Sequence, residues 1–162
     1  RMIEAFEAYS RERPDIRMVV IGTQAQSFST QTYDESSKSR VEFLGRVSDD
    51  DLIDLYRGAL AFVFPSLYEG FGIPPLEAQQ CGCPVISSEA ASMPEVLADS
   101  VLYFDPQSTA SIADAMRRVA EDEGLRDRLV VSGLANAQRY SWAESAAVVS
   151  ALIDQVGTEN NR

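Results

Sequence analysis

Five short apolar runs recur along this 162-residue chain, at 17–22 (RMVVIG), 41–45 (VEFLG), 60–64 (LAFVF), 84–88 (PVISS) and 101–104 (VLYF). Most are continuous, without the strict polar–apolar alternation of a strand that keeps one face in water. Strands buried on both faces read this way, and helical periodicity fills most of the segments between them. The pattern therefore predicts an α/β domain, with a parallel sheet covered by helices on both faces. No internal repeat or low-complexity linker interrupts it. The length suits one domain and not two full-sized ones. We place that domain at 1–156, with 157–162 (GTENNR) as a frayed tail.

The helices are marked by their ends. Met2, Ile3, Ala5, Phe6 and Tyr9 recur at helical spacing, so residues 1–13 read as an amphipathic helix already in progress, stopped by Pro14 and Asp15. Ser48, with Asp51 three residues on, predicts a capped helix through Arg57. Pro74 and Pro75 open a helix that runs through Gln80 and is ended by Gly82. A short helix follows at 93–98, and 108–156 reads as helical in three pieces, jointed at Gly124 and at Ser141-Trp142. Trp142 is expected to anchor in the core. The stretch 23–39 is polar and aperiodic, and reads as a long loop.

Composition removes whole classes of function. The formal net charge is -11, which opposes a nucleic-acid footprint and a polybasic membrane anchor. Histidine is absent, so histidine-based triads, general bases and metal ligands are excluded. Lys38 is the only lysine. Cys81 and Cys83 lack the spaced ligand pairs of a zinc site and are too close in sequence for an easy disulfide. They read as reduced thiols of a cytoplasmic protein. No run approaches the about 20 apolar residues of a membrane helix.

In parallel sheets of this kind, ligands bind at the carboxyl ends of the strands. One loop there differs from the rest: after 60–64 the chain reads PSLYEGFGIPPLE, residues 65–77. Gly70 and Gly72 flank Phe71 directly before a helix, where backbone N–H groups and the helix dipole favour an anion. Glu69 stands at the loop entrance, and Glu77 is expected in the first turn of the helix. Carboxylates accept from hydroxyls while amides hold phosphate, so the pair suits a ligand carrying both, such as a nucleotide sugar. By spacing alone two plainer readings stand equally well. Glu77 can complement the helix dipole, and the glycines can simply make a tight turn.

The run 64–88, FPSLYEGFGIPPLEAQQCGCPVISS, resembles the signature of retaining GT-B glycosyltransferases of the GT4 family, with the E-x7-E pattern at Glu69 and Glu77. Phe43-Leu44-Gly45-Arg46-Val47 before it, Met93-Pro94-Glu95-Val96 after it and Tyr140-Ser141-Trp142 near the end match in sequence and distance. The resemblance covers nearly the whole chain and implies the C-terminal, donor-binding half of a GT-B fold, a Rossmann-like domain. It implies that Glu69 is the catalytic-site carboxylate, hydrogen-bonding donor sugar hydroxyls near the anomeric carbon. The amides of Gly70, Phe71 and Gly72 would face sugar and diphosphate, and Glu77 would accept from the ribose, with Leu76 beside it. Arg46 and Val47 would lie near the nucleobase. For Arg46 a solvated arginine is as good a reading, Glu95 reads better as a helix-start acid than as a ligand, and Ser66 can simply cap the turn.

The resemblance further implies a UDP- or GDP-linked donor, a saccharide or lipid-linked acceptor and no metal or other cofactor. Asp49-Asp50-Asp51 reads as helix-start acids and not as a metal site. The place in biology would be polysaccharide assembly, as in a mannosyltransferase, in the cytoplasm or peripherally at the inner membrane face. Two parts of the pattern are not found. The N-terminal Rossmann-like domain is absent, and so is the first strand of this one, with the basic loop that usually neutralises the diphosphate. The fragment alone is therefore expected to be inactive. A non-catalytic nucleotide-sugar-binding or regulatory module is the alternative. A dinucleotide-dependent oxidoreductase would need G-x-G-x-x-G after its first strand, and none is present.

Overall fold

A computed structural model describes residues 1–22 and 40–159, with side chains through 156, so the loop predicted at 23–39 lies outside the described residues. The elements alternate as α1 (Met2–Ser10), β1 (Met18–Ile21), β2 (Val41–Gly45), α2 (Asp49–Gly58), β3 (Phe62–Phe64), α3 (Ile73–Gln80), β4 (Val85–Ser88), α4 (Met93–Leu97), β5 (Leu102–Phe104), α5 (Thr109–Glu121), α6 (Glu123–Ala137) and α7 (Trp142–Glu159). All five predicted strands form. The break between α5 and α6 falls at Asp122, whose side chain caps α6 from Leu125 N–H, so Gly124 lies inside the helix. α7 continues to Glu159, past the boundary placed at 156.

The strands are parallel, but they form two sheets, β1-β2 and β3-β4-β5. β1 pairs with β2 in the register Met18↔Val41, and β4 pairs with β3 and β5 at Val85↔Phe62 and Ile86↔Leu102. β1 and β3 do not pair with each other. Burial follows from this: every residue of β4, with neighbours on both sides, is buried, whereas β1 and β3 are largely half-exposed.

Helices cover both faces. On one, α1 and α5 pack with Met18, Ile86 and Phe104 around Phe6, Ile112 and Met116, a cluster that spans both sheets. On the other, α2, α3 and α4 close over Val85 through Tyr56, Leu76, Met93 and Leu97. Ser48 caps α2 as the sequence predicts, accepting from Asp51 N–H at 3.2 Å while donating to the Asp51 carboxylate at 2.6 Å. The acids Asp49–Asp51 occupy that helix's first turn.

Trp142 does not anchor the core: it is 81% exposed. Tyr140, two residues earlier, takes that role, donating from its hydroxyl to Val96 O at 3.0 Å. The chain then turns at Ser141, and α7 leaves Val148, Val149, Leu152, Ile153 and Val156 more than half exposed. Among the described residues no helix is long and apolar enough to cross a membrane.

Cys81 and Cys83 are both free thiols. Burial pushes Cys83 up to about 12 from 9.0, and Tyr56 and Tyr103 up to about 12 from 10.0. In the unfolded chain these groups ionise first, at their ordinary values. Their contribution to stability is thus whole below about pH 9 and is lost as pH rises toward 12. The urea midpoint should fall between about pH 8 and pH 10.5. An unchanged midpoint would refute the burial of these groups as described.

Candidate functional site

The loop 65–72 leaves the carboxyl end of β3 and enters α3, as expected of a ligand site in a parallel sheet. The geometry of its last residue is demanding. Gly72 caps α3 with φ 89° and ψ 64°, a left-handed conformation that glycine tolerates best. A Cβ at Gly72 would collide with Met93 Cε and lie 3.0 Å from Met93 Sδ, whereas one at Gly70 would meet nothing within 4 Å. Gly72→Ala should therefore cost roughly 1–3 kcal/mol, lowering Tm by roughly 3–10 °C, while Gly70→Ala leaves Tm nearly unchanged. Thermal unfolding of the two variants checks this, and equal effects would mean that the loop is not held against Met93.

What holds the loop comes from elements distant in sequence. Ser92, just before α4, donates to Glu69 O at 3.0 Å and is 3.3 Å from Phe71 O. The Phe71 ring stands edge-on to Tyr140, centroids 5.3 Å apart. Phe71 is still 44% exposed. On the sheet side, Ser88 of β4 donates to Ser66 O at 2.5 Å, and Ser66 donates to Glu69 Oε1 at 3.0 Å.

Each candidate residue has a definite place. Glu69 is half-buried at the loop entrance, and Gly70 is open to solvent. Glu77 is not in the first turn of α3. The helix starts at Ile73, so Glu77 is its fifth residue, exposed, and α3 has no acid in its first turn. The dipole reading of Glu77 is thereby weakened, since that effect fades beyond the first turn. Leu76 is 6% exposed and packs in the core, so its side chain supports α3 from inside. Arg46 and Val47 follow the carboxyl end of β2, in the other sheet, Arg46 exposed and Val47 half-buried. Glu95 is a first-turn acid of α4, as expected.

Behind α3 lies a buried polar network that sequence reading missed. Gln79 donates to Ser100 Oγ at 2.7 Å, and Asn136 of α6 donates to Gln79 Oε1 at 2.9 Å and to Val96 O at 3.2 Å. Gln79 and Asn136 are 1% and 5% exposed. Gly133 allows the approach, for a Cβ there would stand 3.0 Å from Gln79 Cγ. A hollow of about 310 Å3 is lined by Gln80, Leu134, Ala137, Gln138 and Tyr140. Gly70 and Phe71 of the loop are exposed and Gly72 is buried, with Glu69 at the loop entrance and Glu77 exposed on α3 as the carboxylates on either side.

Known proteins give a consistent picture. The family model described as "Glycosyl transferases group 1" matches residues 1–133. The O-antigen chain mannosyltransferase B of Escherichia coli is 43% identical over 102 residues, 63% of this chain. The chain spans about a quarter (27%) of that protein's length. Among solved structures, sucrose-phosphate synthase from Thermosynechococcus elongatus superposes with a TM-score of 0.80 at 26% identity, covering 97% of this chain and 42% of the other. The C-terminal domain of a glycosyl transferase group 1 family protein from Francisella tularensis gives 0.72 at 28% identity, with 85% and 75% covered.

Proposed function

Since this chain belongs to the glycosyl transferases group 1 family, we propose that it binds the nucleoside diphosphate sugar donor of a retaining glycosyltransferase. The observation that carries this reading is the loop 69–72, fastened on both sides and opening directly onto α3, with Glu77 on an exposed face of that helix. The Glu77 carboxylate makes no hydrogen bond or ion pair among the described residues, so it is available to ribose hydroxyls. Glu69 would accept from the sugar hydroxyls beside the anomeric carbon. The amides of Gly70, Phe71 and Gly72 would line the path to the diphosphate, and Arg46 and Val47 would face the base.

In the reaction the bond between the anomeric carbon and the diphosphate oxygen breaks. A bond to the acceptor oxygen forms on the same face, and the acceptor proton is released. Negative charge grows on the departing nucleoside diphosphate. The N-terminal end of α3 supplies fixed dipoles there, which act without reorganisation during the step.

Likeness to a mannosyltransferase named for the O-antigen chain favours a mannosyl donor, UDP- or GDP-linked, and a saccharide or lipid-linked acceptor in polysaccharide assembly. The acceptor wall would come from an N-terminal Rossmann-like domain, consistent with the 42% of the sucrose-phosphate synthase chain that this domain covers. Free thiols agree with a cytoplasmic site of action, with any contact at the inner membrane face made through that other domain.

Titrating the full-length protein with UDP, GDP and ADP tests the reading. Saturable binding of one nucleotide supports it. A folded protein that binds none of them, and no nucleotide sugar, would overturn it.

A further inference from the structure

The side chain of Glu69 is not left to find its own rotamer. Ser66 Oγ lies 3.0 Å from Glu69 Oε1 and 3.2 Å from Tyr68 O. A hydroxyl carries one proton, and the shorter contact to a charged acceptor is the stronger claim on it. Ser66 is itself fixed, because its carbonyl accepts from Ser88 Oγ at 2.5 Å. Ser88 is fully buried at the end of β4, the strand paired on both sides. The main chain of Glu69 is held independently from the opposite side by Ser92.

We propose that Ser66 is a positioning residue, which locks the Glu69 carboxylate onto the sheet through the Ser88–Ser66–Glu69 relay and so sets its aim at the sugar of the donor. The idea rests on the donor-site reading above. One lone pair of Oε1 is taken by Ser66, which leaves Oε2 and the remaining lone pairs for hydroxyls of the ligand. A carboxylate on a flexible two-carbon stem otherwise loses rotamer entropy each time it engages a sugar, and prior ordering removes that cost. The relay touches the sugar end of the site alone. Its loss should therefore spare the nucleotide and act on the sugar.

The test compares GDP with GDP-mannose and UDP with UDP-glucose on the full-length protein. Ser66→Ala should leave nucleoside diphosphate affinity within about twofold and weaken the nucleotide sugar by about 5- to 10-fold, the ordering cost of one flexible side chain. Ser66→Thr, which keeps the hydroxyl, should restore wild-type behaviour. Ser66→Ala added to Glu69→Ala should change nothing further, because Ser66 acts through Glu69.

A structural role in the loop would instead lower both affinities together and add to Glu69→Ala. That result, or an unchanged nucleotide-sugar affinity in Ser66→Ala, would overturn the proposal while leaving the donor site standing. Wild-type protein that binds neither nucleotide nor nucleotide sugar would overturn the donor site, and the proposal with it.

Discussion

Replacing Glu77 with alanine is expected to weaken nucleoside diphosphate binding by roughly 10- to 100-fold, from the loss of charge-assisted hydrogen bonds to two vicinal hydroxyls. Stability should stay within about 0.5 kcal/mol, for an exposed helical site accepts alanine readily. The separation of the two effects is what the geometry dictates. Glu77 is the fifth residue of α3, exposed, beyond the first turn, and its carboxylate is free of hydrogen bonds and ion pairs among the described residues. It does little for the fold, so little should be lost when it goes. Calorimetric titration beside a thermal melt reads both quantities. Unchanged binding would remove Glu77 from the site, and a large fall in Tm would make it a structural acid after all.

The second large effect lies behind the same helix. Asn136→Ala deletes the donor that satisfies Gln79 Oε1 and the second bond to Val96 O, and takes away the acceptor of Arg139, whose guanidinium donates to Asn136 Oδ1 at 3.0 Å. Gln79 cannot turn to water, being 1% exposed. An orphaned buried amide oxygen together with a small cavity should cost about 2–4 kcal/mol, lowering Tm by roughly 5–15 °C. Replacing both partners by leucine should cost less than the single alanine, since no buried amide oxygen is then left without a donor. Denaturant unfolding of the single and double variants decides between these. If Asn136→Ala costs under about 0.5 kcal/mol, the network is not holding α3 to α6.

The two expectations concern one helix seen from two sides. α3 presents Glu77 outward and Leu76 and Gln79 inward, and its first turn is set by Gly72 against Met93. Nucleotide affinity and stability thus meet on one element while depending on different residues of it.

Most of this architecture was legible in the chain, for identifiable reasons. Each strand is a compact apolar run, so its position follows from composition over a few residues. The cap Ser48 acts on an N–H group three residues away and is therefore local as well, as are the caps Ser108 and Asp122, which sequence reading did not single out. The glycine loop could be found because a left-handed helix cap and an anion-facing turn both require glycine. In the stretch Tyr140-Ser141-Trp142 the sequence points to Trp142 as the anchoring ring, and the structure uses Tyr140. Both rings are large and apolar, and the turn at Ser141 alone decides which of them faces Val96 and Phe71.

Gln79 and Asn136 were invisible, because an amide in a helix reads as a surface residue until its partner, 57 positions away, is brought beside it. The same holds for Ser66, Ser88 and Ser92. As letters they are small polar residues with many uses, and only their distances make them a frame around Glu69.

The sequence by itself therefore determined which segments become strands and helices, where the helices start, and which loop carries the glycines and the two carboxylates. Those are properties of neighbours, set by periodicity and by backbone sterics over a few residues. The tertiary structure alone decided that the strands lie in two sheets, with β1 and β3 not paired to each other. It also decided that Glu77 faces outward beyond the first turn, that Tyr140 and not Trp142 packs inward, and that serines from three segments hold the loop. These depend on contacts between residues far apart in the chain, where the cost of burying each polar group is settled by which partner arrives to meet it.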